Sequence, residues 1–202
     1  MTSPAVERQT FDALLLAIAG AFDVEGRAGG DTAAARLRGA INRPVSLEKA
    51  HSHPAALLRE VGTLETSVGW MKLVPECASC LNWEHWRGKG LADDVSSSLY
   101  TTELLGPDGH VRDKEVRVGL LVSEAWTDYP LSSHSGEETY YVIAGHAEWA
   151  IESTPYTMVS PGSFVHHPAW VPHGRRTLAE PFLGAWRWSG DLDLASFEVA
   201  PS

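Results

Sequence analysis

The strongest constraint on the fold lies after residue 97, where short runs of β-branched and aromatic residues follow one another closely. Glycine and proline turn segments separate these runs at 106–109, at Gly145 and at 161–162. Only 16 residues separate Gly145 from Gly162, which is room for a pair of strands and a turn. Short strands with this spacing are typical of a sandwich or small barrel. The predicted strands cover 98–104, 116–122, 138–144, 147–152 and 182–188.

The first half of the chain has helical rather than strand periodicity. Apolar residues recur at helical spacing, and three helices are predicted, at 4–22, 31–41 and 46–60. The third would begin behind Ser46 as its N-cap, and Pro54 is expected to kink or split it. We therefore predict an N-terminal helical extension over residues 1–95 that packs on a β-barrel over residues 96–202.

Charge and hydropathy exclude several classes of protein. The 202 residues include 16 basic and 26 acidic side chains, a net charge of −10, and no basic cluster. This balance argues against nucleic acids and anionic membrane surfaces as partners. The apolar run at 13–19 follows acidic residues and not a basic segment, so it predicts an amphipathic helix better than a signal peptide. The expected location is the cytoplasm.

The predicted strand 138–144 carries an unusual set of polar side chains. Glu138 and Tyr140 point to one face at strand period, and His134 shares their parity. A second imidazole, His173, arrives from a later strand that follows Gly162. Two neutral imidazoles and a carboxylate suit a divalent first-row metal with open coordination positions. The pattern predicts a metal site inside the barrel.

Other histidines and the two cysteines are predicted to be structural. His166 and His167 adjoin each other on one strand, so only one of them can face inwards. Cys77 and Cys80 form a Cys-x-x-Cys pair without the further ligands of a zinc site. We expect two reduced, partly buried thiols.

The two polar motifs resemble those of the cupin family. Glu138-x6-Gly145 and Gly162-x5-Pro168-x4-His173 fit the family pattern, and His134 takes the second histidine of the first motif. The resemblance implies a mostly β fold, a single cupin barrel of the jelly-roll type. Ser132 stands where the family has its first histidine, so one common ligand is replaced. Cupins are often dimers, and a homodimer is compatible with the resemblance.

The Glu-x-Tyr step narrows the resemblance to the cupin-type dimethylsulfoniopropionate lyases, the DddQ, DddL and DddW group. The resemblance implies a metal held by His134, Glu138, Tyr140 and His173, and a second functional tyrosine at Tyr129. It also implies β-elimination of dimethyl sulfide from a small carboxylate substrate, with a tyrosinate as the base. Either Tyr129 or Tyr140 could be that base, and the metal could be zinc, iron or manganese.

A sulfonium substrate needs a binding site free of competing cations, and aromatic faces supply one. Trp186 and Trp188 share one face of the last predicted strand, while Trp126 and Trp170 flank the two motifs. All four are predicted to bind substrate. Two other functions remain open from sequence: a cupin oxygenase or isomerase, and a barrel that binds a small molecule without catalysis.

Overall fold

A computed structural model describes residues 4–45, 47 and 54–200 of the protein. Its helices are α1 (Pro4–Phe22), α2 (Ala28–Gly39), α3 (Ala55–Gly62), α4 (Leu73–Cys77) and α5 (Asp93–Ser97), with 3₁₀ turns at Ala78–Cys80 and Leu194–Ser196. α1 has the predicted bounds. α3 begins at Ala55 because Pro54 forms its N-cap, and the predicted start behind Ser46 lies outside the described residues. Within the described ranges, no helix has the length and apolar character needed to cross a bilayer.

The strands form two sheets. Their bounds are β1 (Glu84–His85), β2 (Leu99–Gly106), β3 (Val111–Arg112), β4 (Val116–Ser123), β5 (Asp128–Ser133), β6 (Gly136–Ala144), β7 (Ala147–Ile151), β8 (Thr157–Val159), β9 (Phe164–His167), β10 (His173–Thr177), β11 (Phe182–Gly190) and β12 (Glu198–Val199). One sheet has the order β1-β2-β4-β11-β6-β9, with β3 beside β2. The other has the order β12-β5-β10-β7-β8. Strands hold 34% of the described residues and helices 29%, which confirms the predicted mostly β fold with N-terminal helices.

Both faces of the seven-stranded sheet are covered. β4 is buried along its whole length and β11 over all but its last two residues. Alternate side chains of these strands face opposite ways. One set, including Leu120 and Leu183, packs against Phe11 and Leu14 of α1 and the other helices. The opposite set faces the barrel interior, which contains the aromatic side chains Tyr140, Trp149, Phe182, Trp186 and Trp188.

A buried ion pair joins the helical segment to the outer face of the sheet. Glu25, between α1 and α2, accepts a hydrogen bond of 2.7 Å from Nε of Arg187 and another of 2.7 Å from the Thr139 hydroxyl. Arg187 is fully buried. The helices and the barrel therefore share one core and a polar contact within it, while the predicted boundary at residue 95 stays a prediction.

The two cysteines lie in this shared core. Cys77 and Cys80 are free and only 1% and 2% exposed, so they are more deeply buried than the sequence predicted. The Cys80 thiol donates to the carbonyl of Cys77 at 3.1 Å. Burial raises the pKa of both thiols, which keeps them protonated.

Candidate active site

Two histidines point one ring nitrogen each into the barrel interior. Nδ1 of His134 lies 3.0 Å from the Gly136 carbonyl, and Nδ1 of His173 lies 2.9 Å from the Val171 carbonyl. A carbonyl can only accept, so each Nδ1 carries the proton and donates it. In the neutral form of each ring, Nε2 then holds a free lone pair. Backbone contacts of this type fix the tautomer and ring orientation of metal-binding histidines.

Glu138, on β6, is the centre on which these nitrogens converge. Its Oε2 lies 3.3 Å from Nε2 of His134 and 3.5 Å from Nε2 of His173. Its Oε1 accepts a 2.8 Å hydrogen bond from Nε1 of Trp188. Burial alone would raise the pKa of this carboxyl, but the contacts with the surrounding imidazoles hold the pKa well below its usual value. Glu138 is therefore a carboxylate at neutral pH.

The three side chains fit a divalent metal. Ligand atoms of His134, Glu138 and His173 all lie within 4.8 Å of one another, and all three residues are buried. Imidazole and carboxylate donors at this spacing suit zinc, iron or manganese. The chemistry of the donor set and the carbonyl contacts of both histidines agree with such a role.

Both predicted tyrosines line the same cavity as this cluster. The Tyr129 hydroxyl accepts a 3.1 Å hydrogen bond from Nε1 of Trp86. Burial raises the pKa of Tyr129, and burial together with the charge of Glu138 raises the pKa of Tyr140 well above its usual value. Each is a neutral phenol unless a nearby cation favours the phenolate.

The four predicted tryptophans divide into two pairs. Trp186 and Trp188 line the cavity, and Trp188 stacks on His134 with ring centroids 3.9 Å apart. Trp126 and Trp170 are 73% and 55% exposed and do not line it. Both occupy left-handed backbone positions, with φ of 60° and 62°, in the turns before β5 and β10. Their expected role in substrate binding is therefore corrected: proximity to the motifs along the chain does not bring them to the cavity.

A sequence profile of the dimethylsulfoniopropionate lyase family matches residues 46–184, which include every member of the cluster. The chain belongs to the dimethylsulfoniopropionate lyase family. It is 32% identical over 116 residues to the dimethylsulfoniopropionate lyase DddQ of Ruegeria pomeroyi. This alignment covers 57% of the chain and 58% of that relative, so the match spans less than two thirds of the relative's length.

Solved structures of dimethylsulfoniopropionate lyases share the fold of this member of the family. Crystal structures of the lyases RdDddP and RnDddQII include a chain that superimposes with a TM-score of 0.71 at 22% identity, covering 96% of this chain and 100% of that one. DddQ from Ruegeria pomeroyi superimposes with a TM-score of 0.68 at 23% identity, covering 94% and 95%. Both the helical segment and the barrel are therefore part of the shared fold.

Two residues beside the cluster were not predicted as functional in this lyase-family chain. His167, expected to be structural, is fully buried on β9, with Nδ1 3.4 Å from Oε2 of Glu138 and its ring stacked 3.8 Å from that of His173. Burial and the neighbouring His173 lower its pKa to about 3, so it is neutral. Arg175 lies two residues after His173 and lines the cavity. Strand parity was the available signal for Arg175, which shares the face of His173. For His167 the deciding observation is its pairing with Glu138 across β9 and β6, which only the structure gives.

Proposed function

We propose that this protein is a metal-dependent lyase that acts by β-elimination on dimethylsulfoniopropionate, or on a related sulfonium or β-substituted carboxylate. From dimethylsulfoniopropionate the products are dimethyl sulfide and acrylate. The observation that carries the proposal is the cluster of His134, Glu138 and His173 beside two buried tyrosines, in a chain of the dimethylsulfoniopropionate lyase family. Elimination requires a base near the α-carbon and a positive charge near the carboxylate, and this cavity has candidates for both.

His134, Glu138 and His173 would hold one divalent ion, with Tyr140 as a further ligand or close neighbour. A bound dication supplies positive charge that makes the α-proton of the substrate more acidic and favours a phenolate beside it. The three ligands have their lone pairs engaged in this arrangement, so none of them is free to accept a proton.

Tyr129 or Tyr140 is the base in this proposal. The phenolate accepts the α-proton, the C–H electron pair forms the new double bond, and the β-carbon–sulfur bond breaks. Dimethyl sulfide leaves with the electron pair of that bond, which leaves acrylate and a protonated tyrosine. Trp186 and Trp188 bring indole rings to the cavity wall, where a sulfonium gains from aromatic faces.

The test couples metal analysis of the purified protein to a headspace assay for dimethyl sulfide. We expect one metal ion per chain and release of dimethyl sulfide from dimethylsulfoniopropionate. His134→Ala and His173→Ala should lose metal and activity together, because each removes one of three ligands. Trp126→Ala, at an exposed position away from the cavity, is the matched control.

The rival functions give different outcomes in this experiment. Oxygen uptake that depends on the substrate, without dimethyl sulfide, would replace the lyase by an oxygenase. Binding of the substrate without any turnover would favour a non-catalytic barrel. Full metal occupancy in the variant that lacks both histidines would contradict the metal assignment itself.

A further inference from the structure

Arg175 brings a positive charge into the wall of the cavity. It follows His173 by two residues on β10, so both side chains face the barrel interior. The residue is 3% exposed. Its guanidinium carbon lies 5.0–5.7 Å from the centroids of four aromatic rings, those of Phe182, Trp149, Tyr129 and Tyr140. Aromatic faces attract a cation, but they do not neutralise it.

No carboxylate among the described residues forms an ion pair with Arg175; the charge of Glu138 acts on it from a greater distance, and the Tyr140 hydroxyl accepts a hydrogen bond from it. The other two buried arginines both have a carboxylate partner: Nη1 of Arg117 lies 2.5 Å from Glu103, and Arg187 pairs with Glu25. Nη2 of Arg175 is buried without any hydrogen-bond partner. A buried charge without a counter-ion is strongly unfavourable, so an arrangement of this kind is expected to serve an anion that enters the cavity.

We infer that Arg175 binds the carboxylate of the substrate. A guanidinium presents paired N–H donors in a planar fork that matches the two oxygens of a carboxylate. This inference rests on the proposed function and names how the same cavity recognises its substrate. Arg175 is thus a binding residue that fixes one end of the molecule beside Tyr129 and Tyr140.

The opposite wall of the cavity has the opposite charge. Glu84 and Glu103 line it from β1 and β2 of the seven-stranded sheet, together with Trp186 of β11, whereas Arg175 belongs to the five-stranded sheet. Glu103 forms an ion pair with Arg117. Glu84 forms no ion pair in the part of the chain that the structure describes. A zwitterion would therefore lie with its carboxylate towards β10 and its cationic group towards β2. The cavity selects for a substrate with both charges.

The experiment measures binding of acrylate and propionate to the purified holoprotein by calorimetry, because neither ligand needs turnover. Arg175→Met removes the charge and keeps an apolar side chain among the aromatic rings. Its dissociation constant for both ligands should rise about tenfold or more. Arg175→Lys keeps the positive charge but lacks the paired N–H donors of a guanidinium. Its dissociation constants should lie between those of Arg175→Met and those of the parent. Arg176→Met, which removes the adjacent arginine that pairs with Glu148, is the matched control and should bind like the parent.

Propionamide separates charge recognition from shape. The parent should prefer propionate to propionamide, and Arg175→Met should lose most of that preference at unchanged metal content. Acrylate binding by Arg175→Met within about twofold of the parent, with metal and fold intact, would overturn the inference. Failure of the proposed function is distinct: anion binding would still depend on Arg175, but no variant and no parent preparation would release dimethyl sulfide.

Discussion

Tyr129 and Tyr140 are phenols in surroundings that favour their neutral form. Both are buried, and the carboxylate of Glu138 adds a negative charge that opposes ionisation. The guanidinium of Arg175 and the indole N–H of Trp86 act in the other direction. Without a metal, both tyrosines are therefore neutral phenols at neutral pH. A tyrosinate base at that pH requires the positive charge of the bound ion.

This dependence predicts a pH response that metal removal changes. A depleted sample titrated to alkaline pH should show the phenolate absorbance of the two buried tyrosines only above roughly 10, their ordinary value. Adding the metal should move one ionisation to lower pH, because a dication favours the anion. Tyr129→Phe and Tyr140→Phe identify which tyrosine moves. A titration that is the same with and without metal would exclude a metal-supported phenolate.

The same two variants test catalysis. At least one of Tyr129→Phe and Tyr140→Phe should retain its metal and lose elimination activity by about 10²–10⁴-fold, the range expected for removal of a general base. Dimethyl sulfide release and metal content are measured on the same preparations. Tyr156→Phe, outside the cavity lining, serves as the control. If both Tyr129→Phe and Tyr140→Phe released dimethyl sulfide at the rate of the parent, neither tyrosine would be the base.

His167 contacts two of the three proposed ligands, Glu138 and His173, but is not itself one of them. It is expected to orient them, and partners of this kind typically change metal affinity by about 10–100-fold. His167→Leu should weaken metal binding by that amount, measured by competition with a chelator, while His134→Ala should abolish it. His166→Leu alters the neighbouring residue of opposite parity and should bind metal as the parent does.

At the scale of elements, strand parity determined how much of the site could be predicted. The period of β6 placed Glu138 and Tyr140 on one face, and the structure has both at the cavity. The same rule applied to β10 would have selected Arg175, but sequence alone gives neither the burial of an arginine nor the register of β9 with β6 that pairs His167 with Glu138. The prediction for Trp126 and Trp170 was wrong for a different reason. Both lie in turns with left-handed backbone, where the alternation of side chains along a strand does not apply.

The ion pair between Arg187 on β11 and Glu25 before α2 is expected to couple the stability of the helical segment to that of the sheet. Arg187→Met would leave the Glu25 carboxylate buried without its cation, and breaking a buried pair in this way costs about 3–5 kcal/mol of unfolding free energy. Chemical denaturation measures the change, and replacing Glu25 by Met as well should recover part of it. Arg38→Met breaks the exposed pair with Asp23 and should leave the melting temperature nearly unchanged. Equal losses in the two single variants would contradict the coupling.

For the molecule as a whole, the helices and the outer face of the seven-stranded sheet form one hydrophobic core, which includes Phe11 of α1, Val74 of α4 and Leu120 of β4. Apolar periodicity predicted α1, α2 and the strands β2, β4, β6, β7 and β11, because it depends only on which side chains must leave water. It could not predict that the outer face of the seven-stranded sheet is buried by the helices, since that requires contacts between distant parts of the chain. The consequence is that the helical segment supports the sheet that carries Glu138 and Trp188.

Cys77 and Cys80 report on this shared core. Both thiols are buried at the junction of helices and barrel, and burial raises their pKa, so the native protein presents almost no reactive thiolate. Alkylation at mildly alkaline pH should therefore be slow and should follow the opening of the core. Destabilising the core with Arg187→Met should raise the alkylation rate of both cysteines, whereas Arg38→Met should not. Rapid modification of the folded parent protein, with activity and circular dichroism unchanged, would mean that the thiols open locally and that the helices are not held in one cooperative unit with the barrel.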